Sequence, residues 1–205
     1  MRRRAAATVL GLLLGFGGAA AVAQDLPASF QVRDVAQGDV LNIRAEPTSS
    51  AAHIGDIPPF AVNVEVLEKT ADGKWGRVGT PEGNGWVSMR YLELTPPADP
   101  FAVPRPLSCF GTEPFWHVGL FPKGAEFNSP ETGAVPMTSI SEAVAPEGFL
   151  IRLEEGPTLS RTLVITRQTC HDGMSDRVFG FSTKMFLEAP DGNGAYDGCC
   201  TLDHR

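Results

Sequence analysis

The chain has 205 residues with 17 Lys+Arg against 24 Asp+Glu, a formal net charge of −7. An acidic balance of this kind disfavours nucleic acid and anionic membrane surfaces as partners, because both repel it. With 22 glycines, 17 prolines and no sustained 3.6-residue periodicity, long helices are disfavoured and short strands with tight turns are expected.

The first element is a leader. Arg2, Arg3 and Arg4 precede an apolar stretch from Val9 to Phe16, and Ala21-Val22-Ala23 has the small-x-small pattern of a cleavage site. Glycines 11, 15, 17 and 18 interrupt the apolar run, which falls short of the ~20 residues a spanning helix needs. Residues 1–23 therefore read as a secretory signal peptide cut between Ala23 and Gln24. No later stretch is long and apolar enough to serve as an integral membrane segment. The mature chain of 182 residues then carries 14 Lys+Arg against 24 Asp+Glu, hence −10, in a periplasm or outside the cell.

From Phe30 to Leu94 the apolar positions step by two, as in Leu41 and Ile43 and in Val62, Val64 and Val66. Turn chemistry at Glu46-Pro47, Pro58-Pro59, Asp72-Gly73 and Gly83-Asn84-Gly85 separates these runs. Four or five short strands in so few residues cannot cover one another as an open sheet, so a small closed barrel is expected. The succession LNIRAEPTSSAAHIGDIP, VNVEV, KWGRV, GWVSMRYL resembles the bacterial SH3 domain in order across the whole unit. That resemblance implies a five-stranded SH3-like barrel of a kind attached to cell-envelope proteins, whose members often bind peptidoglycan stem peptides or other extended peptides. Trp75, Trp86 and Tyr91, with Asn42 and Arg44 as polar neighbours, are the candidate ligand-binding residues, since rings offer contact area at low entropic cost. For the tryptophans, Trp86 above all, a place in the barrel core stays open as the alternative.

Residues 95–106, TPPADPFAVPRP, hold five prolines in twelve positions and read as a semi-rigid linker. Beyond it, residues 107–205 show period-two faces at Trp116, Val118 and Leu120, at Phe149, Ile151 and Leu153, and at Phe179, Phe181, Met185 and Leu187. An antiparallel meander of six to eight strands, curled into a barrel or a strongly bent sheet, is expected. The fold class is thus all-β throughout. The stretches CFGTEPFW (109–116), DGMSDR (172–177) and GCC (198–200) resemble a family of small bacterial envelope domains. That resemblance points to the architecture of the β-domains in heat-shock lipoproteins and in bacterial lysozyme inhibitors. It brings no activity with it.

All four cysteines, Cys109, Cys170, Cys199 and Cys200, lie in this second unit, and in an oxidising compartment they read as two disulfides. Adjacent side chains on a strand face opposite ways, and a vicinal bond is strained, so Cys109 and Cys170 each take one of the pair, in either combination. No metal site and no cofactor is expected, because the spacings C-x2-C and H-x3-H are missing. Glu113, Trp116, Asp172, Ser175 and Asp176 form a possible second site: Ser175 has only half of a nucleophile elbow, and Asp172 and Asp176 suit a turn around Gly173. The expected function is non-catalytic, with a cell-wall peptide or an envelope protein as partner. Two alternatives are an acidic inhibitor of a cationic muramidase, a cationic protein being its partner, and an envelope hydrolase using the carboxylates or Ser175 of the second unit.

Overall fold

The structure, a computed structural model, describes residues 26–205; the expected signal peptide lies outside the described residues. Among these residues there are eighteen strands and one 3-10 turn, and no α-helix. The first unit contains β1 (Ala28–Val32), β2 (Leu41–Arg44), β3 (His53–Ile57), β4 (Val64–Val66), β5 (Glu68–Lys69), β6 (Trp75–Gly79), β7 (Asn84–Ser88) and β8 (Leu92–Leu94). They form a five-stranded sheet, β3-β2-β7-β6-β5, and a three-stranded sheet, β4-β1-β8. Both cover one core of Phe30, Leu41, Ile43, Ile57, Val64 and Val78 with their neighbours. The first strand of the unit begins at Ala28.

The second unit contains β9 (Leu107–Thr112), β10 (Phe115–Phe121), β11 (Gly124–Ser129), β12 (Gly133–Ala145), β13 (Gly148–Glu155), β14 (Leu159–Thr166), β15 (Cys170–His171), β16 (Val178–Phe179), β17 (Phe181–Ala189) and β18 (Gly192–Thr201). Eight of them close a barrel in the order β10-β11-β12-β13-β14-β17-β18-β9, while β15 and β16 pair with each other on a loop outside it. The expected alternations hold inside the barrel for Trp116, Val118, Leu120, Phe149, Ile151, Leu153, Phe181 and Met185, all buried, whereas Leu187 is only half-buried and Phe179 lies on β16, outside the barrel. β12 is the exception, for only Met137 of its thirteen residues is buried and its pairing with β13 shifts between Ser139 and Ser141. Such a bulge breaks the period of two, which hides the strand from a pattern reading.

Both disulfides form, Cys109–Cys200 and Cys170–Cys199. Cys109 and Cys200 are direct partners across the β9–β18 seam, so their bond lies inside the barrel. Cys199 faces outward and holds the loop that carries Cys170. The linker is not free chain. Val103 is buried in the barrel core, its N–H donates to Glu142, and Arg105 forms an ion pair with the same carboxylate.

The two units are docked. Glu65 of β4, 2% exposed, accepts hydrogen bonds from the Thr201 hydroxyl (2.7 Å) and the Leu202 N–H (2.9 Å). The Asn84 side chain pairs with both backbone groups of Val178, at 2.7 and 3.1 Å. Arg205 donates to the Gly79 carbonyl at 2.7 Å, and the Arg177 guanidinium packs over the face of Gly79 where a Cβ would stand.

Burial pushes the Glu65 carboxyl up to about 7, with Asp203 adding to the push, against the two hydrogen bonds and the Arg177 cation. Its folded-state value therefore lies above the ordinary 4.5, so the docked state holds a proton that an exposed Glu65 has lost. The contribution to stability is complete below pH 4.5 and is lost as pH rises through 7. Thermal melts from pH 4.5 to 8 are expected to show this loss, at most about 1.4 kcal/mol per pH unit, and Glu65→Gln to remove that part of the slope. On loop length alone, Cys109→Ser with Cys200→Ser is expected to cost ~1 kcal/mol more than Cys170→Ser with Cys199→Ser, since the sequence separations are 91 and 29. Denaturant unfolding of the two double variants measures this.

Candidate functional site

Strand alternation decides which first-unit side chains reach a ligand. On β2, Leu41 and Ile43 point into the core, leaving Asn42 and Arg44 outside. On β6, Gly76 and Val78 point in, leaving Trp75 and Arg77 outside; on β7, Gly85 and Val87 point in, leaving Trp86 and Ser88 outside. Neither tryptophan belongs to the core, which corrects the alternative left open for Trp86. The core of Phe30 and aliphatic side chains is filled on this side: even a Cβ at Gly76 would strike Val66 and Met89.

Asn42, Arg44, Trp75 and Tyr91 converge on one cleft of about 520 Å³. The 3-10 turn Met89–Tyr91 that follows β7 places Tyr91 there, with the Arg90 guanidinium 5.6 Å from its ring. Asp34, Asp39 and Arg90 complete the charged lining, and the sequence reading missed all three. Arg44 donates to the Ala51 carbonyl (3.2 Å), which ties the 45–52 loop to the cleft floor. Trp86 does not line the cleft. It sits on the same sheet face, between its ladder partners Arg44 and Arg77.

The structure divides the second candidate set. Trp116, only 4% exposed, is a core residue and not part of a surface site. Its ladder partner is Gly111, and a Cβ at Gly111 or at Gly198 would fall on the indole. The spacing of CFGTEPFW and GCC is thereby explained: each motif supplies a cysteine to the core disulfide and a glycine to one flank of Trp116. Glu113 and Asp176 are exposed. The Asp172 carboxylate accepts from the N–H groups of Met174 (3.0 Å) and Ser175 (3.1 Å). Partial burial pushes its pKa up, but these bonds and the Ser175 hydroxyl outweigh that and hold it below the usual carboxylate range. Asp172 thus closes the turn around Gly173 with Ser175 as its partner, and the Thr112 hydroxyl donates to its carbonyl at 3.2 Å.

Fold and cleft together define a small SH3-like β module with an aromatic cleft on its face, docked to a larger closed barrel. Residues 39–93 match the family model for the bacterial SH3 domain, which makes the first unit a bacterial SH3 domain. No curated protein and no solved structure matches the chain. Peptide or protein binding is consistent with such a domain. Among the described residues no helix is long and apolar enough to cross a membrane.

If Gly111 is fixed by the indole beside it, Gly111→Ala is expected to cost about 1–3 kcal/mol through overpacking. A chemical melt of the oxidised protein tests this, with Gly83→Ala as a comparison in a loop where the added Cβ comes no nearer than 3.9 Å to the Thr80 hydroxyl.

Proposed function

We propose that the chain is a non-catalytic protein of the cell envelope, working in the periplasm or outside the cell, whose SH3 cleft binds an extended cell-wall peptide. The observation that carries this reading is the convergence of Trp75 and Tyr91 with Asn42 and Arg44 on one cleft. Half-buried rings give contact area at little cost in side-chain entropy. Carboxylates (Asp34, Asp39) and guanidinium groups (Arg44, Arg90) on its lining suit a peptide that carries both an amine and a carboxylate. The pairing of all four cysteines and the bacterial SH3 match fit an extracellular protein. A non-catalytic role is supported by the state of the second candidate set, in which Asp172 is committed to its turn and Trp116 to the core.

The test is sedimentation of residues 24–205 with purified peptidoglycan, together with titration of a soluble stem peptide. Trp75→Ala is expected to weaken both by at least about tenfold, as for a central aromatic contact, and Trp86→Ala by less. Equal retention of wild type and Trp75→Ala, or no retention of the wild type, would remove the assignment.

A further inference from the structure

A cleft of about 600 Å³ lies on the outside of the second barrel, with a floor from β9, β14, β17 and β18 and a rim from residues 168–172. Its volume is that of an ordinary small-molecule site. The rim is held rigidly by the Cys170–Cys199 disulfide, by the bond from Thr112 to the Asp172 carbonyl and by the Asp172 turn. A ligand therefore meets a surface whose ordering cost is already met by folding.

The lining chemistry is specific. The hydroxyls of Thr166 and Ser182, the Gln168 amide and the His171 imidazole all face this cleft, and none hydrogen-bonds to another protein group among the described residues. Four uncommitted groups that together donate and accept are thus gathered in one place. Charge offers little handle: Lys184 is paired with its ladder partner Asp197, and the Asp172 carboxylate on the rim is taken up by the N–H groups of Met174 and Ser175. Beside them Phe186 and Val164, 42% and 40% exposed, form an apolar step.

We propose that this cleft binds a neutral oligosaccharide. A pyranose ring presents hydroxyl or amide groups around its edge that donate and accept, and an apolar C–H face that covers a ring such as Phe186. Backbone pairing, one way of gripping an extended peptide, needs a free strand edge. The floor here belongs to a closed barrel whose strands are paired on both sides. The inference rests on the envelope reading only in the choice of probe, an N-acetylated sugar.

The experiment titrates the oxidised protein, residues 24–205, with tri-N-acetylchitotriose, by calorimetry and by amide shifts in NMR. Saturable binding with shifts at Ser182, Lys184 and Phe186 is expected. Phe186→Ala and Ser182→Glu, both on the outer wall, should each weaken it about tenfold. Trp75→Ala should leave it unchanged even where it abolishes peptide binding, so the two readings fail separately. The proposal is overturned by absence of saturable binding, by loss of binding in Trp75→Ala, or by a neutral tripeptide that shifts these amides when the trisaccharide does not.

Discussion

Two adjacent cysteines on a strand cannot face the same way, and the second unit is organised around that geometric fact. Cys200 points inward and joins Cys109 directly across the β9–β18 seam, which locks the barrel where its first and last strands meet. Cys199 points outward and holds Cys170 against the barrel wall. One strand thereby anchors the core and an external loop at once. Trp116 fits beside the inner bond because Gly111 and Gly198 leave its indole space, and the acidic turn at 172–175 is built on the loop held by the outer bond.

The same strand carries the chain onward into the contact with the SH3 domain. Directly after Cys200, Thr201 and Leu202 satisfy the buried Glu65, His204 donates its N–H to the Asn63 carbonyl, and Arg205 reaches the Gly79 carbonyl. Asp203 is enclosed by Arg205 of the tail and by Arg177 from the segment before β16, so the second unit brings its own cations to an interface that holds two carboxylates. A carboxylate buried this way is costly unless protonated or hydrogen-bonded, and Glu65 has both routes open to it. The segment 95–106 contributes by packing Val103 into the barrel and pairing Arg105 with Glu142, which makes it a strap between the units instead of a loose tether.

Much of the binding cleft was readable from alternation alone. Once Leu41, Ile43, Val78 and Val87 are assigned inward, Asn42, Arg44, Trp75 and Trp86 must face outward. Which of the outward set shares a cleft was not readable, because that depends on how loops at sheet ends fold over it. Tyr91 arrives through a 3-10 turn and Asp34 and Asp39 through the loop before β2, while Trp86 sits on β7 two residues before Ser88, the position of that strand that lines the cleft. Glu65 was invisible for a related reason. Alternation in Val64-Glu65-Val66 assigns it to solvent, yet the other unit covers that face and buries Glu65 as fully as the two valines are buried in their own core.

The sequence by itself determined the all-β class, the division of apolar and polar faces on most strands, the rule that the vicinal cysteines take separate partners, and the likeness to bacterial SH3 domains. These follow from properties that act over a few residues: side-chain periodicity, turn chemistry and strand geometry. Only the tertiary structure decided which cysteine joins which, that Trp116 belongs to the core, that the two units are docked through Glu65 and the C-terminal tail, and that four uncommitted polar side chains share an outer cleft. Each of those depends on groups far apart in the chain meeting in space, and no local pattern encodes such a meeting.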